Sequence, residues 1–222
     1  MKLTTHTIIK NEQNWIKQSL LSVIDQVDEM LVWDTGSTDK TISIIKSINS
    51  PKIKFQEKGS VNRQQLVDLR NQQIKETKTP WFMLLDGDEI WPKENLGKLI
   101  QAIDQAKPTT LALVNRTRNC IKDLNHYLPE SEGKYQIGPW QGHLNIRAIK
   151  NTPSLTVVGE YPHEAYIVNQ KPLQDQPEHL EFVDTWYYHT THLKRTTWWH
   201  SLRVIDRLRK FKPGYKSLHS GS

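Results

Sequence analysis

The chain has 222 residues, enough for one domain with a sizeable core or one domain with an added lobe. Apolar residues make up 36% and charged residues 24%, which excludes wholesale disorder, and no apolar run approaches the roughly 20 residues that cross a bilayer. Thirty basic against 24 acidic residues leave +6, which points to an anionic partner such as a phosphorylated metabolite, nucleic acid or an acidic membrane surface.

The opening "MKLTTHTIIKNE" lacks the long apolar segment of a signal peptide, and the lone Cys120 fits a reducing cytosol. "LTTHTIIK" is read as a strand that ends in the polar turn "NEQN". In "NWIKQSLLSVIDQVDEM", Ile16, Leu20, Val23, Ile24 and Val27 recur at helical spacing. "EMLVWD" is a short apolar strand stopping at Asp34, and "TDKTISIIKSI" a helix with Asp39 available as its cap. A strand "KIKF" and a long helix "VNRQQLVDLRNQQIKET" follow, and then "WFMLL" runs into "DGDE". Uninterrupted apolar strands are buried on both faces, as in a parallel sheet under helices. The first hundred residues therefore alternate strand and helix as an α/β doubly wound sheet.

That alternation disposes of one obvious reading. "DTGS" at Asp34–Ser37 also surrounds the catalytic carboxylate of aspartic proteases. Those are all-β and need two facing carboxylates, and this chain has one such string.

Beyond about residue 108 the pattern changes. "TTLALVNRTRN", "GHLNIRAIK" and "SLTVVGEY" are read as strands separated by loops such as "LPESEGKYQIGPW". A helix is expected from about Leu193 to Lys210. Its Trp198, Leu202 and Ile205 share a face beside Arg203, Arg207, Arg209 and Lys210, which suits either packing on its own domain or resting on an anionic membrane.

In an open parallel sheet, ligands bind beyond the carboxyl ends of the strands. "KNE" (Lys10–Glu12), "DTGSTD" (Asp34–Asp39) and "DGDE" (Asp86–Glu89) all fall there. Asp86 and Asp88 are two apart, on one side of extended chain, with Gly87 permitting close approach. Two hard carboxylates without cysteine suit Mg²⁺ or Mn²⁺; the plainer alternative is an acidic turn capping "PKENLGKLIQAI". Arg70 sits on the apolar stripe of its helix, with Leu66, Val67 and Ile74, so it needs a carboxylate or phosphate partner. No G-x-x-x-x-G-K-[ST] and no G-x-G-x-x-G occurs, which weakens P-loop and dinucleotide readings. Trp91, Trp140, Trp186, Trp198 and Trp199 are candidates for stacking on sugars or simply for core and walls.

"KNEQNWIKQSLLSVIDQVDEMLVWDTGSTDKT", "LRNQQI" and "WFMLLDGDE" together resemble the nucleotide-binding half of family 2 glycosyltransferases with the GT-A fold. The likeness spans about residues 4–92 and is nearest to bacterial enzymes of lipopolysaccharide-core and surface-glycan synthesis. It implies one continuous GT-A domain: a Rossmann-like, mostly parallel sheet flanked by helices, with a C-terminal acceptor-side extension. Residues 1–107 would be the nucleotide-sugar half and 108–222 the acceptor-side half.

By that resemblance Lys10, Glu12 and Asp34 line the base and ribose pocket, and Arg70 supports the site or meets the diphosphate. Asp88 holds a divalent metal, Mn²⁺ or Mg²⁺, with Asp86 on ribose or metal. "GEYPHEAY" resembles the family's "HE" segment, making Glu164 the general base with Glu160 its rival. "WYYHTTHLKRT" resembles the segment that sets a His beside the metal, His189 ahead of His192, with Lys194 and Arg195 near the diphosphate. The implied reaction is inverting transfer from a nucleoside diphosphate sugar, a UDP-sugar first, to a glycan or glycolipid hydroxyl. The implied location is cytoplasmic, with peripheral contact at the inner membrane face, and no nucleic acid. Two rivals stand: a nucleotidyltransferase that makes the sugar nucleotide, and a non-enzymatic nucleic-acid binder.

Overall fold

The computed structural model describes residues 2–193. The expected final helix lies outside them apart from Leu193, as do Lys194, Arg195, Trp198 and Trp199.

The strands and helices in chain order are β1 (Leu3–Ile9), α1 (Ile16–Val23), β2 (Glu29–Asp34), α2 (Thr41–Lys46), β3 (Ile53–Glu57), α3 (Arg63–Glu76) and β4 (Trp81–Leu84). Then come β5 (Glu89–Ile90), α4 (Lys93–Gln105), β6 (Ala112–Asn119), β7 (Tyr135–Ile137), β8 (Trp140–Gly142) and β9 (Leu144–Lys150). Last are β10 (Thr156–Val158), β11 (Ala165–Val168), β12 (Lys171–Pro172) and β13 (Leu180–His189).

Eight strands form one sheet in the order β3-β2-β1-β4-β9-β6-β13-β5. β3, β2, β1 and β4 are mutually parallel, and β13 is parallel to β6. β9 is antiparallel to both β4 and β6, and β5 is antiparallel to β13. β10, β11 and β12 make a second small sheet, and β7 and β8 a hairpin.

Side chains alternate across β4, so its two faces feed two cores. Trp81 and Met83 join Ile16, Leu20 and Val23 of α1 and Leu96, Leu99 and Ile103 of α4. Phe82 and Leu84 join Val67 and Ile74 of α3 with Val157 and Val168 of the small sheet. Burial on both faces is why β4 is apolar throughout. Trp91 belongs to the first core, stacked on Tyr187 with ring centroids 5.0 Å apart, rather than to a sugar platform.

The chain steps outward from β1 to β3 and returns to β4 on the other side of β1. This reversal of strand order is where an open α/β sheet opens a crevice. "KNE" after β1 and "DGDE" after β4 flank that crevice.

Some elements depart from the reading of the sequence. The first helix stops at Val23 instead of running through Val27, because residues 24–26 turn and Gln26 N–H donates to the Val23 carbonyl. The acidic turn caps no helix: α4 has Pro92 at its N-cap without a side-chain bond. Glu89 instead opens β5. The ten-residue β13 was not legible as a strand, since its register slips between Phe182 and Trp186 and interrupts the alternation. Within the expected loop "LPESEGKYQIGPW", residues 135–137 and 140 onward pair as β7 and β8.

Candidate active site

The first two rim loops are stitched to each other. Asp34 is 1% exposed, and its Oδ1 accepts the Gly36 and Ser37 backbone N–H groups at 2.9 Å each, while Oδ2 takes the Ser37 hydroxyl. Both oxygens thus shape their own loop. Gly36 is required there: its φ is +85°, and a Cβ would sit 3.1 Å from Ser60 N. Asn11 N–H donates to Ser37 Oγ at 2.8 Å, and Asn11 Oδ1 accepts Thr38 N–H at 2.8 Å. Glu12 N–H donates to Thr41 Oγ1 at 2.8 Å, and Asp39 Oδ1 accepts Thr41 N–H at 2.9 Å; Asp39 is not the cap expected of it, because Lys40 is the N-cap of α2 and Asp39 turns the residue before it. Lys10 stands exposed at the end of β1.

"DGDE" packs against this pair of loops. A Cβ on Gly87 would meet Glu12 Cγ and Ile9 Cγ2 at 3.0 Å, so the close approach that Gly87 permits is that of Glu12 itself. Asp86 Oδ2 accepts from Arg147 Nη2 at 3.1 Å, and the same nitrogen donates to Glu89. Arg147 Nε donates to Tyr187 Oη at 3.0 Å. Burial alone would raise the Asp86 carboxyl, but Arg147, then Arg70 and His189, hold it below its ordinary value. Glu89 is 0% exposed, and burial pushes it up to about 7 against the pull of Arg147.

Arg70 turns inward from α3 as its position on the apolar stripe requires. Its Nη2 lies 3.2 Å from Glu164 Oε1 on the loop leading into β11, with both side chains largely buried. Burial would lower the guanidinium, but Tyr166, Asp86 and Glu164 together raise it. Glu164 Oε2 is buried and has no hydrogen-bond partner among the described residues. Glu160, by contrast, is exposed and 3.9 Å from Arg63. The rim therefore carries alternating charge in the order Glu164, Arg70, Asp86, Arg147, Glu89.

β5 and β13 bring the last pair together, because their antiparallel register sets Glu89 opposite His189. Asp88 is 3% exposed, and its carbonyl accepts Thr190 N–H at 2.9 Å and Thr190 Oγ1 at 3.0 Å. His189 Nε2 lies 3.4 Å from Asp88 Oδ2. His192 follows in the turn after β13. Among the described residues no three His, Cys, Asp or Glu side chains gather into a metal cage. A carboxylate and an imidazole nitrogen facing each other still fit a divalent ion as two of its ligands.

The structure thus draws together Glu12, Asp34, Arg70, Asp86, Asp88, Glu164 and His189 around one crevice, and leaves Lys10 at its exposed margin. Arg147, Tyr187 and Asn119 were not singled out from the sequence. The one available signal was a charged residue in the middle of the strand "LNIRAIK".

The mostly parallel sheet, with its acidic rim at the strand ends, has the architecture of the GT-A fold. Residues 5–171 match the model of Glycosyl transferase family 2, well over half of the chain, and the chain belongs to that family. The SPbeta prophage-derived glycosyltransferase SunS of Bacillus subtilis (strain 168) is 34% identical over 97 residues, 44% of this chain but only 22% of that protein. TarS 1-349 of S. aureus, solved in complex with UDP-GlcNAc, superimposes with a TM-score of 0.59 at 17% identity, covering 89% of this chain and 60% of that one. Glucosyl-3-phosphoglycerate synthase from Mycobacterium tuberculosis, solved with Mn²⁺, UDP and glucosyl-3-phosphoglycerate, gives a TM-score of 0.52 at 13% identity over 93% of this chain and 76% of that one.

Proposed function

We propose that this glycosyltransferase is metal-dependent and inverting, moving a sugar from a UDP-sugar to an acceptor hydroxyl in surface-glycan or lipopolysaccharide synthesis. The observation that carries the proposal is the meeting of Asp88 and His189 at 3.4 Å, at the crevice where β1 and β4 end. The UDP-GlcNAc bound by TarS and the Mn²⁺ and UDP bound by the mycobacterial synthase support the donor and metal classes.

In this proposal Asp88 and His189 would hold the ion, which would supply positive charge to a diphosphate leaving group. The loops of Lys10–Glu12 and Asp34–Asp39 form the base and ribose pocket. Arg147 keeps Asp86 ionised and aimed. Arg70 holds Glu164 through Oε1, so that Oε2 is the oxygen that takes the acceptor's proton as the sugar is attacked. One in-line displacement then inverts the anomeric centre. The basic stretch after His192 supplies peripheral membrane contact on the cytoplasmic side; among the described residues no helix is long and apolar enough to cross a membrane.

Calorimetric titration with UDP, GDP and CDP, each with Mn²⁺ and again with EDTA, tests this. Metal-dependent binding of UDP is expected, and Asp88→Ala should abolish that dependence while the protein keeps its fold. Oligonucleotide affinity without nucleotide affinity would instead favour the nucleic-acid binder.

A further inference from the structure

Behind the Asp88–His189 pair runs one hydrogen-bonded chain that the transfer reaction leaves unused. β6 and β13 are parallel with Asn119 opposite His189, and His143, just before β9, lies on the other side of Asn119. His143 Nε2 is 3.1 Å from the Pro129 carbonyl oxygen, and His143 Nδ1 is 3.2 Å from Asn119 Nδ2. Asn119 Oδ1 is 3.3 Å from His189 Nδ1, and His189 Nε2 faces Asp88 Oδ2.

The chain has one sense. A carbonyl only accepts, so the hydrogen of His143 is on Nε2. A neutral His143 then presents a lone pair at Nδ1, which selects the amide NH₂ of Asn119 as its partner. That turns Asn119 Oδ1 toward His189, where it accepts the Nδ1–H. A neutral His189 is left with its lone pair at Nε2, on the side of the Asp88 carboxylate. Reversing the chain would place a second proton on His143, a side chain only 9% exposed whose two ring nitrogens face an amide and a carbonyl. The far end is anchored in backbone: Leu128 N–H donates to the Asn119 carbonyl at 2.9 Å, and Thr117 N–H to the His143 carbonyl at 2.8 Å.

We infer that Asn119 and His143 are positioning residues that hold His189 as its Nδ1–H tautomer, so that Nε2 and Asp88 together present two electron-pair donors to a divalent cation. A metal-ligating imidazole ordinarily donates its other N–H to such a partner, which fixes the ring and raises ligand basicity. The inference rests on the metal reading proposed above, and its test separates the two.

The full chain is labelled with ¹⁵N in histidine and studied without metal at about pH 9, where the ring is neutral. The expected spectrum has a protonated, pyrrole-type Nδ1 and an unprotonated, pyridine-type Nε2 for His189. Mn²⁺ affinity in the presence of UDP is then measured for three proteins. Asn119→Leu should weaken it about 10–100-fold. Asn119→Asp, which keeps an acceptor for Nδ1–H, should retain it, and UDP affinity in EDTA should stay unchanged in both. A protonated Nε2 in the unsubstituted protein, or wild-type Mn²⁺ affinity in Asn119→Leu, overturns the inference. Failure of the unsubstituted protein to bind Mn²⁺ at all would sink the metal reading, while the nitrogen spectrum still decides the tautomer.

Discussion

Arg147 touches three partners, Asp86, Glu89 and Tyr187, and Glu89 has no access to water. Removing one member of a buried pair leaves an uncompensated charge and costs about 3–5 kcal/mol. Glu89 can escape by taking a proton, since its folded value of about 7 already lies above the ordinary 4.5. Without Arg147 that value rises further, so the penalty of losing Arg147 grows as pH rises above about 7, where only the unsubstituted protein gives up the Glu89 proton. Arg147→Met should therefore be far less stable in urea at about pH 8 than at about pH 5, and adding Glu89→Gln should restore part of the loss. A change below about 1 kcal/mol at the higher pH would contradict this.

His6 titrates with the opposite sign. It is 3% exposed, stacked on Phe82 at 4.1 Å, and its Nε2–H donates to Thr77 Oγ1 at 2.6 Å. Burial, then the charge of Arg70, hold it down at about 3 from 6.5. Between those values the unfolded chain binds the extra proton, so this contribution is complete above 6.5 and is lost as pH falls toward 3. Glu89 does the reverse between 4.5 and about 7, so the two slopes offset each other in the unsubstituted protein. The stability difference between wild type and His6→Phe isolates His6. It should grow by about 1.4 kcal/mol per pH unit up to 6.5 and then level off, and a flat difference would refute the assignment.

At the scale of elements, α3 holds the small sheet in place. Asn71 Oδ1 accepts Val157 N–H at 2.8 Å and Thr156 Oγ1 at 2.9 Å, and its Nδ2 donates to the Val157 carbonyl at 2.8 Å. One side chain thus pairs with β10 as a strand edge would. β10 is hydrogen-bonded to β11, and the loop between them carries Glu164. Asn71→Leu should cost about 1–3 kcal/mol, because it strands backbone groups that Asn71 satisfies. It should also lower turnover more than it lowers UDP affinity, because Glu164 rides on the loosened sheet and the donor pocket does not. Equal losses in both would place the small sheet's role elsewhere.

On the scale of the molecule, the two halves share one sheet. β9, from the second half, lies between β4 and β6, and fully buried Phe82 and Met83 face cores that include residues of both halves. A fragment of residues 1–107 would expose the edge of β4 and lose most of the core around Phe82 and Leu84, which invites edge pairing with other chains. That fragment should show no cooperative urea transition and should aggregate, as checked by circular dichroism and light scattering. A sharp transition would mean that the nucleotide half is a domain by itself.

Strand and helix up to α4 were legible in the sequence because their signals are local: apolar runs for β2 and β4, a 3.6-residue period for α1 and α4, polar clusters where the strands stop. The inward turn of Arg70 was legible for the same reason, from its neighbours on one helix. What the chain alone determined is therefore the alternating α/β half and the acidic rim at its strand ends. Tertiary structure decided the rest. The choice of Glu164 over Glu160 as partner of Arg70 depends on how the small sheet docks on α3, and the meeting of Asp88 with His189 depends on β13 pairing with β5 across a hundred residues of chain. Arg147 reaches Asp86 only because β9 runs back between β4 and β6. Contacts of that kind follow from register and strand order, which no local periodicity encodes.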